Sequence, residues 1–79
     1  MMNDFISLVE SMSSPDLVKL CAECDYAIAH GEFSIRSFCR SYIITHTQTT
    51  NYSDTIKILD MCQIVAFETM HRVANGTFK

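Results

Sequence analysis

The chain has 79 residues, of which 48% are hydrophobic and 19% charged, with a net charge of −3. That balance excludes a disordered chain and a basic nucleic-acid tail, and the length allows one helical domain over residues 1–79 that buries roughly 60% of its unfolded surface. Two glycines and one proline leave too few breakers for a turn-rich β fold, so the expected class is all-α: a compact bundle of three to four helices with a long C-terminal helix.

Charge is unevenly spread. Residues 1–33 carry six carboxylates against the one lysine Lys19, a net of −5, and residues 34–79 carry five cations against three carboxylates, a net of +2. An acidic first half disfavours adhesion to nucleic acid or anionic lipid and can steer a basic partner.

The first helix is expected over Asp4 to Met12, capped by Asn3, because Phe5, Leu8, Val9 and Met12 recur at helical spacing. Ser14-Pro15-Asp16 reads as the start of a second helix. Ser14 can accept from the orphan amides, Pro15 loses nothing in the first turn, and Asp16 suits the positive end of the dipole. That helix runs to His30 with Leu17, Leu20, Cys21, Cys24 and Ile28 as its buried stripe, and Gly31 ends it as a left-handed cap.

A third helix is expected after Ser34 as its cap, running to about Thr45, with Ile35, Phe38, Cys39, Tyr42 and Ile43 facing the core and Ile44 exposed. The threonine-rich run Thr45 to Asn51 reads as a loop, with His46 a surface residue in or beside it. Asn51 or Ser53 then caps the last helix, Asp54 lies in its first turn, and Asn75-Gly76 ends it.

The last helix, Tyr52 to Ala74, is apolar on two sides. Ile56, Leu59, Cys62, Ala66, Phe67, Met70, Val73 and Ala74 form a broad face, read as core. Ile58, Met61 and Val65 form a second stripe at i, i+3 and i+7. The chain has little other material to cover both. The second stripe therefore reads as a contact with another chain, Met61 being suited to varied surfaces, unless the first helix wedges under it.

Candidate chemistry is sparse. Cys21-Ala22-Glu23-Cys24 places two thiols on one helix face, but a zinc site needs two more ligands and no second close pair exists. The four cysteines read as small core hydrophobes, and neither a metal nor a cofactor is expected. No glycine-rich oxyanion turn accompanies any cysteine–histidine pair, and Asp60 and Glu68 are two turns apart on one helix, so no enzyme is expected.

Two functional classes follow. The first is a non-enzymatic interaction protein that regulates or inhibits a partner by occupying its surface, of a size that suits phage and mobile-element accessory factors. Its contact residues are Ile58, Met61 and Val65, with Ile44 at the rim, and the partner is another protein or a second copy in a twofold homodimer. The alternative is a helix-turn-helix nucleic-acid binder that uses Arg36 and Arg40 after the tight turn Ala29 to Ser34. Two arginines beside an acidic helix make nucleic acid the weaker partner. No run has the length of a membrane span, and Phe5–Val9 lacks a basic flank, so a cytoplasmic location with reduced thiols is expected.

Overall fold

Four helices follow one another among the described residues: α1 (Met2–Ser11), α2 (Ser14–His30), α3 (Phe38–Thr47) and α4 (Thr55–Ala74). The computed structural model describes the backbone of residues 2–47 and 55–78, and the side chains of residues 4–45 and 57–78. The fold is an all-α bundle with the longest helix at the C-terminal end. Of the expected loop from Thr45 to Asn51, residues 45–47 instead continue α3, while Gln48 to Asn51, the caps Asn51 and Ser53, Asp54 and the side chain of Ile56 lie outside the described residues.

The entry to α2 follows the sequence signal one residue early. Ser13 is extended, and its Oγ accepts from the Asp16 N–H at 3.3 Å, with Pro15 in the first turn. Ser14, the expected cap, is instead buried inside the helix. Gly31 ends α2 at φ 79°, its N–H bonded to the Ala27 carbonyl at 2.8 Å. A left-handed turn of this kind is strained for any residue with a Cβ.

Helix α3 begins three residues later than the sequence suggests. Ser37 N–H bonds to the Ser34 carbonyl in a turn, and Ser37 Oγ then accepts from the Arg40 N–H at 3.1 Å as the cap. A second acceptor comes from another helix. The Glu23 carboxylate takes the Phe38 and Cys39 N–H groups at 2.9 and 3.0 Å, one on each oxygen. The delayed start changes which side chains face inward. Phe33 and Ser37 are buried, whereas Ile35 in the turn and Phe38 at the helix start are exposed.

Phe5 and Val9 of α1, Leu17 and Leu20 of α2, Ile43 of α3 and Met61 of α4 are all within 2% of full burial. Phe5 packs on the Tyr42 ring at 5.1 Å, joining α1 to α3. Cys21 touches Thr69 and Cys24 touches Cys62, so α2 and α4 run antiparallel along each other.

Helix α4 meets this core with Ile58, Met61 and Val65, at 4%, 0% and 1% exposure. The expectation that these three form an outward contact is thereby corrected: they are core. Helix α1 does wedge against the side they occupy. The broad stripe points the other way: among its described side chains Leu59, Phe67, Met70 and Val73 are exposed and only Cys62 is buried. The reason lies one turn further on. The inward arc continues through Glu68, Thr69 and Arg72, which are polar but bonded, so hydropathy alone hides it.

Candidate interaction surface

Seven-residue spacing places Leu59, Ala66 and Val73 in line along the outer side of α4, with Met70 beside them. All four are exposed. Leu59, Met70 and Val73 show 55%, 70% and 62% of their surface, and Phe67 on the flank shows 74%. Single exposed apolar residues are ordinary, but here they form a row on one helix, which makes it a candidate contact face. The heptad interval was the sequence signal for it.

Phe67 also belongs to a groove of about 740 Å³ between α1 and α4. Val9 lies at its base, with Ile6, Ile64 and Phe67 on its sides. Glu10, Asp60 and Glu68 also line it, together with Gln63 and His71. Of the charged side chains that line it, three are carboxylates, and His71 alone can carry a positive charge.

Arg72 holds the two walls of this groove together from the inside. Its Nε donates to the Glu68 carboxylate at 2.7 Å and its Nη1 to Ser14 Oγ at 3.2 Å. Its Nη2 donates to the Val9 and Glu10 carbonyls at 3.2 and 3.3 Å. A cation on the last carbonyls of α1 meets the negative end of that helix, and the planar guanidinium reaches four acceptors at once. Glu68 and Arg72 are therefore a part-buried clamp.

The cysteines are core. Cys24, Cys39 and Cys62 are buried and Cys21 is half-buried. Contact with the Cys39 thiol, then burial, pushes the Cys24 thiol far above its ordinary range, and contact with Cys24, then burial, does the same to Cys62. Both stay protonated at neutral pH, so neither is a ready nucleophile. Thr69 donates its one hydroxyl proton to the Val65 carbonyl, so the Cys21 S–H donates to Thr69 Oγ at 3.3 Å. Among the described residues no group of three or more His, Cys, Asp or Glu is placed to hold a metal.

The remaining sequence candidates do not come together. Arg36 sits in the turn before α3 and is exposed, whereas Arg40 lies within α3 and is half-buried. The start of α3, where a recognition helix would meet phosphate, is occupied by the Glu23 carboxylate. Ile44 is exposed on α3 and does not line the groove. No described helix is long and apolar enough to cross a membrane. Comparison with protein-family models, with curated proteins and with solved structures gives no match.

Proposed function

We propose that this chain is a non-enzymatic, cytoplasmic interaction protein that regulates or inhibits a partner protein by covering part of its surface. The observation that carries this reading is the outward row of α4, where Leu59, Met70 and Val73 stand more than half exposed with Phe67 beside them. Water contact with four large apolar side chains is costly, roughly 1.5–3 kcal/mol for each fully exposed one, and a docked partner relieves it. The test is affinity capture from native lysate with the wild-type chain beside Leu59→Asp and Met70→Asp. Helical content should stay unchanged and the captured partner should be lost. The same proteins held by all three chains would count against it.

Self-association is the second reading, on a separate observation. Ala66 lies midway between Leu59 and Val73 and is the smallest side chain of the row. An antiparallel pair of α4 helices crossing at Ala66 sets Leu59 of each copy against Val73 of the other, which satisfies a twofold axis. Light scattering across a concentration series distinguishes this dimer from a monomer.

A further inference from the structure

The groove between α1 and α4 allows a narrower statement, which rests on the reading of this chain as an interaction protein. We infer that the groove seats an amphipathic helix of a partner protein, one with an apolar stripe and basic flanks. Two parallel ridges with an apolar trough between them are the seat that a third helix fills. Val9 forms the base, fully buried, and Ile6, Ile64 and Phe67 supply sides that are only partly covered. The lining runs along α4 from Asp60 to His71, about 17 Å at the rise of a helix, which is room for about three turns of guest. Anchors at i, i+3 or i+4, and i+7 cover about 10 Å and fit within that distance.

Charge selects the guest. Glu68 is already bonded to Arg72, but Glu10 and Asp60 are exposed. Lysine or arginine beside the guest's apolar stripe would lie over them. A second copy is disfavoured on this face, since it brings the same carboxylates and a whole-chain net charge of −3. An anionic membrane surface is repelled for the same reason.

The test uses the full chain and two labelled synthetic peptides of about 14 residues, built as amphipathic helices with leucine at i, i+3 and i+7. One is flanked by lysine and the other by glutamate, and fluorescence anisotropy reads binding at low salt. The lysine peptide should bind at least about tenfold more tightly than the glutamate peptide, with the gap shrinking as salt rises. Phe67→Asp should weaken the lysine peptide by at least about tenfold, because it removes an apolar wall. Glu10→Gln with Asp60→Asn should weaken it by about three- to tenfold and leave the glutamate peptide no worse, as expected for charges at a rim. All three positions are exposed, so thermal melting of the variants should match the wild type.

Equal binding of the two peptides, binding of neither, or indifference to Phe67→Asp would each overturn the inference. So would a dimer that Phe67→Asp dissolves and Leu59→Asp spares, because the occupant of the groove would then be a second copy. Failure here with a captured partner still lost in Leu59→Asp overturns the groove and leaves the wider reading standing. Failure of both removes both.

Discussion

Arg72 Nε meets the Glu68 carboxylate at 2.7 Å one turn away on α4, and the two side chains are only 11% and 14% exposed. An exposed pair at this spacing contributes a few tenths of a kcal/mol. This one is different because the same guanidinium also satisfies Ser14 and two carbonyls at the end of α1. Arg72→Ala strands a part-buried carboxylate together with those acceptors, so it should cost about 2–4 kcal/mol. Arg72→Lys should recover only part of this, since one ammonium cannot span four acceptors. Urea unfolding measures both, and a loss under about 1 kcal/mol would show that water replaces the clamp.

The Glu23 carboxylate should matter to α3 although it belongs to α2. Glu23→Ala removes the acceptor for Phe38 and Cys39 N–H, and the loss of a cap costs about 1 kcal/mol. Glu23→Gln keeps an acceptor oxygen and should cost less. Amide exchange at Phe38 and Cys39 reads the effect locally, and unchanged protection there in Glu23→Ala would refute the role.

Two methionines on α4 give a sharp contrast. Met61 is fully buried and Met70 is 70% exposed. Met61→Ala should cost about 2–5 kcal/mol by opening a cavity. Met70→Ala should stay within about 0.5 kcal/mol. Equal costs in denaturant titrations would mean that α4 is rotated from the orientation described.

Stability should fall on the alkaline side. Cys24 and Cys62 hold their protons above the ordinary thiol value of 9.0, and burial, followed by the charge on Asp4, holds Tyr42 above 10.0. The unfolded chain loses these protons first, so above about pH 9 it binds fewer protons than the folded chain and the equilibrium moves toward it. The stabilisation is complete below the unfolded value, and each thiol then forfeits about 1.4 kcal/mol per pH unit. Urea midpoints at pH 7, 9 and 10, taken under reductant, should decline in that order. A flat series would contradict the burial of these groups.

Local signals in the chain were reliable wherever the chemistry was local. Ser13 to Asp16 starts α2 within one residue of the expected place, and Gly31 ends it, because caps and breakers act through their own neighbours. The start of α3 was not legible, since its second acceptor arrives from Glu23, fifteen residues away. The inward side of α4 was misread for a related reason. Glu68, Thr69 and Arg72 look like a wet surface until their partners on other helices or on the preceding turn are known. The surplus of apolar residues on that helix was correctly legible, but the stripe left in water was the opposite one.

Holding the amides of α3 from α2 ties the two helices together. A ten-residue helix has little tendency to form alone, and α3 spans Phe38–Thr47. Its first turn is therefore coupled to the integrity of α2 around Glu23, and a fluctuation that unwinds α2 there should loosen the start of α3 as well.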